Sequence, residues 1–388
     1  MRAQSLIAPR SLPWPHAFAL HLCAFLLPVL TTVFLLNGPY RWWQALLWAT
    51  IPIWTLIYID TKAPADRRAV AVDAPDWLFD LQVYALTALQ LGNHILLGIM
   101  ASKLTLQSWG DAGVVAANLW AVIWMSGVTA GYSGIVVAHE WIHRRKPHQY
   151  FLGRLLLMFV WYEHFATEHI RGHHPRLGTQ ADPATARFGE TFRQFFLRTV
   201  PAQFKSAWQL ESERLGRPAM KPTHPAILRH RVFQGVLGQI GITIGYLVFF
   251  GPIATVFFLV QARTAFTLLE VVNYIEHWGI ERHTRGVSHV DSWDTDNWFT
   301  LHTLVGLSRH ADHHAQASRP YHKLRYHEDP PKLPTGYYGS IILALFRNEH
   351  YRQLATDELT RRRLGPFRKL AEDRPQATPI KGSATAAS

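Results

Sequence analysis

Long apolar runs separated by short polar turns dominate the chain from residue 17 onward. The six runs are 17–36, 42–59, 78–101, 114–138, 233–250 and 253–272. A helix needs roughly 20 predominantly apolar residues to cross a bilayer, so each run has about the required length. The pattern predicts an all-α protein, a six-transmembrane helix bundle. Its domains would be an N-terminal segment (1–16), a membrane domain (17–346) and a basic, partly disordered tail (347–388).

Charged residues are scarce and unevenly distributed. Hydrophobic residues make up 48% of the 388 and charged residues only 17%, which favours a membrane protein. Cations cluster in the loops on one predicted side of the bundle: Lys62, Arg67, Arg68, Arg144, Arg145 and Lys146. By the positive-inside rule, this side and both termini are cytoplasmic, in a multi-pass inner-membrane protein. The net charge of +12 accompanies no nucleic-acid-binding motif, so we expect no nucleic-acid partner.

Nine histidines lie just beyond the predicted spans. They form four clusters: His139 and His143; His169, His173 and His174; His277; and His310, His313 and His314. Neutral imidazole suits iron, zinc and copper, whereas magnesium would require carboxylates. Nine imidazoles exceed the capacity of one ion, so we expect two ions with four or five ligands each.

The spacing within the clusters places several imidazoles on common helix faces. His139 and His143 are four residues apart and would share a face at the end of the fourth span. In the second cluster, His169 and His173 would share a face, and His174 would point about 100° away. One helix could therefore serve two metals. In the last cluster, His313 and His314 follow His310 by three and four residues and would lie on either side of its helix face. This cluster is therefore the third that could supply several ligands from one helix.

Simpler metal proteins explain less of this pattern. The HExxH motif at 139–143 alone is typical of a zinc peptidase with Glu140 as the general base, but such a site needs only three protein ligands. A metal carrier or haem protein would account for histidines but not for their spacing. Cys23 is the only cysteine, which excludes an intramolecular disulfide and a fused rubredoxin. Any iron–sulfur chemistry must therefore come from another protein.

The four clusters resemble, in order and spacing, the histidine boxes of the integral-membrane alkane 1-monooxygenases, of the membrane fatty-acid desaturase/hydroxylase superfamily. The matching segments are HEWIH (139–143), EHIRGHH (168–174), NYIEHWG (273–279) and LSRHADHHA (307–315), with DPATAR (182–187) and LPTGY (333–337). Trp278, Ser308 and Ala311 depart from the usual family residues, but the histidines are unchanged.

The resemblance implies a cytoplasmic-side helical region with a non-haem di-iron site of two iron ions held by the nine histidines. It implies hydroxylation of the terminal methyl of alkanes from the bilayer, using oxygen and electrons from a rubredoxin or ferredoxin-type donor with its reductase. Two alternatives are a hydroxylase of methyl groups on alkyl aromatics and a fatty-acid desaturase or hydroxylase.

Other polar residues receive weaker predictions. Metal-bound imidazoles usually donate their second N–H to a carboxylate. The candidates are the carboxylates next to a ligand in sequence: Glu140, Glu168, Glu276 and Asp312. We expect solvated loop positions for His283, His289, His302, His322 and His327.

Overall fold

The structure, a computed structural model, describes residues 11–218 and 220–368. In chain order, its helices are α1 (Trp14–Asn37), α2 (Trp42–Lys62), α3 (Asp76–Ser102), α4 (Trp109–Ile142), α5 (Pro147–Phe159), α6 (165–176), α7 (Phe192–Arg214), α8 (Arg231–His277), α9 (Trp298–Thr303), α10 (His310–Ala315), α11 (Tyr337–Phe346) and α12 (Asn348–Arg362). The predicted all-α class is confirmed for these residues.

Five of the described helices are long and apolar enough to cross a membrane: α1, α2, α3, α4 and α8. The first four correspond to the first four predicted spans and extend them by a few residues. Five such helices indicate an integral membrane protein. The predicted fifth and sixth spans both lie within α8.

The segment α8 consists of two helices that form a hairpin. Gly251 has φ 85° and ψ 178°, outside the helical region, and Pro252 follows it. The ring of Tyr246 stacks on that of Phe258 at 4.3 Å, although twelve residues of straight helix would separate them by about 18 Å. The chain therefore reverses here into two antiparallel arms, 231–250 and 252–277. The number of membrane crossings stays a prediction.

Small residues let α4 approach the second arm of α8 closely. A Cβ added to Gly127 would lie 2.7 Å from Thr264, and one added to Gly131 would lie 2.9 Å from Leu268. These glycines belong to two π-helical segments of α4, Ile123–Gly127 and Ala130–Ile135. Regular α-helix resumes at Val136–Ile142, as predicted for the first histidine cluster. Close packing thus brings the C-terminal ends of α4 and α8 together.

The predicted cationic loops lie at this same end of the bundle. The Asp66 backbone N–H donates to the Asp296 carbonyl, and the Asp60 carboxylate accepts from Thr300 Oγ1 at 2.6 Å, which ties the end of α2 to α9. At the opposite end, the Tyr40 N–H donates to Asn118 Oδ1 at 2.9 Å. The two sets of loops are thus separated as the sequence predicts, and their assignment to membrane sides stays a prediction.

Part of the predicted tail is ordered helix. Helix α12 buries Tyr351 and Leu359 completely against the rest of the protein. The predicted disordered end, from about Asp373, lies outside the described residues, as does most of the predicted N-terminal segment.

Candidate metal centre

All nine predicted histidines meet in two adjacent groups. Each side chain in a group offers one ligand atom, and these atoms lie within 4.8 Å of one another. The five-histidine group contains His139, His143, His169, His174 and His313. The other set is His173, His277 and His314, with His310 joined through an overlapping group that also contains Glu276. The division into five and four matches the count expected for two ions.

Distances between imidazole nitrogens fit shared metal ions. The Nε2 atoms of His169 and His174 are 3.0 Å apart, those of His174 and His313 are 3.2 Å apart, and those of His310 and His314 are 2.9 Å apart. Two nitrogens that bind one metal at about 2.1 Å and at right angles are about 3.0 Å apart. The spacing is therefore that of cis ligands.

Unpartnered nitrogen atoms provide an independent test of the fit. His139 Nε2, His143 Nε2, His173 Nε2 and both ring nitrogens of His277 are buried and have no hydrogen-bond partner among the described residues. Leaving such atoms unsatisfied costs about 1–3 kcal/mol each. A bound first-row transition metal would satisfy them, and an imidazole set with few carboxylates suits iron, zinc or copper. The residues present therefore fit the implied metals.

The second histidine cluster is arranged differently from the prediction. His169 shares its group with His174, and His173 belongs to the other group. The reason is a π-helical turn at His169–His173, in which residues five apart align because hydrogen bonds join i and i+5. The rings of His169 and His173 do stack at 5.4 Å, as a shared face predicts, but the π-helical turn brings the ring of His174 closer, to 4.6 Å from that of His169. A single helix nevertheless supplies both groups.

Asp182 is a carboxylate that the sequence analysis did not assign to the site. Its Oδ2 lies 2.8 Å from His173 Nδ1 and accepts from Thr185 Oγ1 at 2.6 Å, and its Oδ1 accepts from the Ala184 N–H at 3.0 Å. Burial opposes ionisation, but these contacts outweigh it and hold the pKa of Asp182 below its usual value. With Nδ1 engaged, His173 Nε2 is left for a metal. The segment 182–187 was noticed only as part of the family resemblance.

Glu276 contacts a histidine from another cluster. Its Oε2 is 3.1 Å from His310 Nε2, and its Oε1 accepts from the Tyr337 hydroxyl at 2.7 Å. Adjacent helical residues point in different directions, so Glu276 reaches His310 rather than its neighbour His277. It can support His310 or bind a metal directly.

Glu140 and Glu168 are oriented away from the imidazoles. Glu140 accepts from Arg144 at 2.6 Å, and Glu168 accepts from Arg176 at 3.2 Å. Within the described part of the chain, neither forms a hydrogen bond or ion pair with one of the nine histidines. Position next to a ligand in sequence did not by itself bring these carboxylates to the ligand.

Asp312 binds side chains from the surrounding loops. Its Oδ1 lies 3.0 Å from His327 Nε2 and 3.5 Å from His289 Nε2, while Oδ2 contacts Arg319 and accepts from the Arg325 N–H. His289, Asp312 and His327 form a further group of potential ligands. The carboxylate thereby fixes the short helix α10 to the loops around it.

The solvated positions expected for His302 and His322 were wrong. Each is only 1% exposed. His302 Nε2 lies 3.3 Å from Asp66, and His322 Nε2 lies 2.9 Å from Asp76 while its ring stacks on Phe79. Helix α9, which carries His302, packs against the segment after α2, and the segment that carries His322 packs against the start of α3, contacts that local sequence does not reveal.

A narrow apolar cavity leads from the histidines into the bundle. It lies between α4 and the second arm of α8 and has a volume of about 40 Å³. His139, His169, His310 and Glu276 line one end, and Gly131 and Leu268 lie at the other. Residues 131 and 139 of α4 are about 12 Å apart along the helix axis. The cavity is therefore a narrow apolar gap that ends at the imidazoles.

Comparisons with known proteins agree with this geometry. The profile of the fatty acid desaturase family matches residues 118–340, more than half of the chain, and this range contains all nine histidines. Alkane 1-monooxygenase 1 of Pseudomonas aeruginosa is 38% identical over 246 residues, 62% of each chain. Alkane 1-monooxygenase of Acinetobacter baylyi is 33% identical over 263 residues, 63% of each chain. The xylene/toluene monooxygenase hydroxylase component of Pseudomonas putida is 25% identical over 315 residues, 80% of this chain and 82% of that protein.

The alignments with the alkane monooxygenases span about three-fifths of the length of those relatives. The resemblance to alkane monooxygenases that the histidine boxes predicted is confirmed. The matched family profile, which contains every box, shows that the chain belongs to the fatty acid desaturase family.

Proposed function

We propose that this protein is an integral-membrane monooxygenase that holds two non-haem irons and hydroxylates the terminal methyl group of alkanes. The observation that carries the proposal is the convergence of nine histidines in groups of five and four at the head of an apolar cavity. A zinc peptidase would use three protein ligands and would have no need of the remaining histidines.

Different side chains would hold the two ions and orient the ligands. When bound, the irons would supply the redox chemistry that activates oxygen for attack on an unreactive C–H bond. The first group would hold one ion, and His173, His277, His310 and His314 would hold the other. Asp182 would fix the tautomer of His173 by accepting its Nδ1–H.

The apolar wall would orient the substrate and exclude water. Val136 and Leu269 lie along the cavity between its two ends, and Phe165 and Leu307 complete its lining near the histidines. An alkane offers no group for hydrogen bonding, so shape complementarity alone must place its methyl end at the metals. Because the substrate dissolves in lipid, the membrane would serve as its reservoir.

Electrons would come from a separate protein. Cys23 is the only cysteine, so the chain cannot form a cysteine-ligated iron–sulfur centre by itself. We propose a rubredoxin or ferredoxin-type donor with its reductase, which would approach the cationic loops at the histidine end. This end would be cytoplasmic, in a six-span inner-membrane topology with both termini on the same side.

A second substrate class is favoured by one comparison. The match to the xylene/toluene monooxygenase component extends over 80% of this chain, further than the matches to the alkane monooxygenases, although the identity is lower. A methyl group on an aromatic ring would present a similar C–H bond at the same end of the cavity. Hydroxylation of alkyl aromatics is therefore the alternative.

Metal and product analysis test the proposal together. The protein purified in lipid nanodiscs should contain about two irons per chain and lack haem absorbance, and cells that express it should convert alkanes to 1-alkanols from a mixture of alkanes, alkyl aromatics and fatty acids. His173→Ala and His313→Ala should lose iron and product, whereas His350→Ala, at an exposed position, should keep both. A single zinc, haem bands, or full activity in either of the first two variants would contradict the proposal.

A further inference from the structure

Helix α7 lies across the long helices at their histidine end. Near its start Phe195 packs on Tyr274 at 5.6 Å, and further along Gln203 donates to Glu270 at 2.9 Å. Towards its end Glu211 accepts from the N–H of the first residue of the other α8 arm. The 23 residues of α7 extend about 34 Å. On the second arm of α8, however, its aromatic ring contacts run only from Phe266 to Tyr274, which are about 12 Å apart along that arm. The helix is thus crosswise to the spans and parallel to the expected membrane plane.

The exposed side of α7 is divided into an apolar and a polar stripe. Leu197, Pro201 and Phe204 follow the spacing i, i+4, i+7 and form the apolar stripe, with Leu197 64% and Phe204 38% exposed. Exposed polar residues lie on the neighbouring side of the helix: Gln194, Lys205 and Gln209. The buried face of α7, which packs against α8, lies opposite. The exposed side is therefore amphipathic.

Neighbouring contacts give the direction in which each stripe points. Phe196, beside the apolar stripe, reaches toward the Gly251 end of the bundle, where its ring is 6.3 Å from that of Phe266 and 5.6 Å from the Arg263 guanidinium. Arg198, beside the polar stripe, pairs instead with Glu190 at 2.8 Å in the loop that follows α6. The apolar side chains exposed on the two α8 arms, among them Ile240, Leu247 and Leu259, form the lipid-exposed belt of the bundle. The apolar stripe consequently faces this belt, and the polar stripe faces away from it.

Two exposed amphipathic side chains lie on or against the arms of α8. Arg263 is exposed on the second arm of α8, with its guanidinium placed over the rings of Phe196 and Phe266. Trp161 is 37% exposed and donates its indole N–H to Thr243 at 3.1 Å. Tryptophan is enriched at membrane–water interfaces, and arginine extends its charged end toward them. Helix α7 contacts Arg263 through the ring of Phe196.

We propose that α7 is an interfacial helix whose stripe of Leu197, Pro201 and Phe204 inserts into the bilayer between the headgroups and the acyl chains. The occupant of this surface is lipid, because the stripe continues the lipid-exposed belt. Arg193, four residues before Leu197 in line with the stripe, and Lys205, beside Phe204, are both exposed and would extend toward anionic headgroups. The inference depends on membrane insertion but not on the substrate or metal content.

Site-directed spin labelling tests the depth of the stripe. After Cys23→Ser removes the single native thiol, Leu197→Cys and Phe204→Cys each provide one labelling position. Gln209→Cys, on the polar stripe, is the matched control on the same helix, and Leu247→Cys, exposed on the first arm of α8, is the lipid reference. Power saturation in lipid nanodiscs then compares relaxation by oxygen, which concentrates in lipid, with relaxation by a water-soluble nickel chelate.

The expected result is greater relaxation by oxygen than by the nickel chelate at 197, 204 and 247, and the reverse at 209. Efficient relaxation by the nickel chelate at 197 and 204 would place the stripe in water and overturn the proposal. An immobile label that neither reagent reaches would show that protein, such as a second copy of the chain, covers the stripe, and would also overturn it.

Discussion

Replacing Asp182 by Asn isolates the contribution of one carboxylate to the metal centre. Oδ2 of Asp182 accepts from Thr185 and lies within hydrogen-bonding distance of His173 Nδ1, and Oδ1 accepts from the Ala184 N–H. An asparagine has only one acceptor oxygen. If that oxygen faces His173, the amide NH₂ opposes the N–H of Ala184; if the amide is flipped, the NH₂ opposes His173 and Thr185. At 2% exposure, solvent cannot compensate for the loss.

The expected effect follows from the role of Asp182 in orienting a ligand. Loss of such a partner typically lowers metal affinity or activity about 10- to 100-fold. This corresponds to about 1.4–2.8 kcal/mol. The effect should concern the four-histidine group, because His173 belongs to that group alone. Asp182→Asn should therefore lose one iron to a competing chelator well before the other.

Glu168→Gln is the matched control. Glu168 is also a buried carboxylate and is adjacent in sequence to His169, but it contacts Arg176 rather than an imidazole. Chelator titration followed by elemental analysis measures the release of each iron, and product formation gives the rate. Wild-type iron retention and rate in Asp182→Asn would refute the orienting role, and equal losses in both variants would show that a buried negative charge, rather than the contact with His173, is responsible.

Four further predictions concern other parts of the molecule. His277→Ala should lose iron and all activity while circular dichroism shows unchanged helix, because both nitrogens of His277 lack other partners among the described residues; full iron content would remove it from the ligand set. Gly131→Ala places a Cβ 2.9 Å from Leu268 and should shift the product profile toward shorter alkanes, whereas Gly241→Ala, with open space around it, should not; identical profiles would place the end of the substrate elsewhere. Burial would raise the pKa of Asp66, but hydrogen bonds from Arg68 and His302 hold it far below the unfolded value of about 3.9, so this stabilisation is present above about pH 4 and is lost as the pH falls below it. In thermal unfolding followed as a function of pH, Asp66→Asn should therefore lose less stability than wild type as the pH falls below about 4. An unchanged dependence on pH would contradict the assignment. Finally, purified protein should consume NADH with substrate and oxygen only after a donor and its reductase are added, at a rate that falls with salt if the cationic loops bind an acidic donor; turnover with NADH alone would reveal another route for electrons.

The apolar runs determined the long helices because membrane-length hydrophobicity is a property of local sequence. The first four spans begin and end within a few residues of the prediction, apart from the earlier start of α4 at Trp109. The break between the predicted fifth and sixth runs, at Gly251-Pro252, falls at the reversal within α8, since glycine permits a positive φ and proline lacks an N–H. The nine histidines were identifiable for the same reason: their residue type and spacing indicate metal chemistry without knowledge of the fold.

Tertiary structure decided which of these residues meet. Asp182 contacts His173 across nine positions, and Glu276 contacts His310 across a loop, whereas Glu140 and Glu168 pair with arginines despite their position beside ligands. The π-helical turn placed His174, which was predicted to point away, in the same ligand group as His169, a change of helical period that depends on packing rather than on residue type. The sequence alone thus determined the helices and the kind of site, because both follow from local chemistry. The partners within the site required the fold, because they depend on contacts between distant segments.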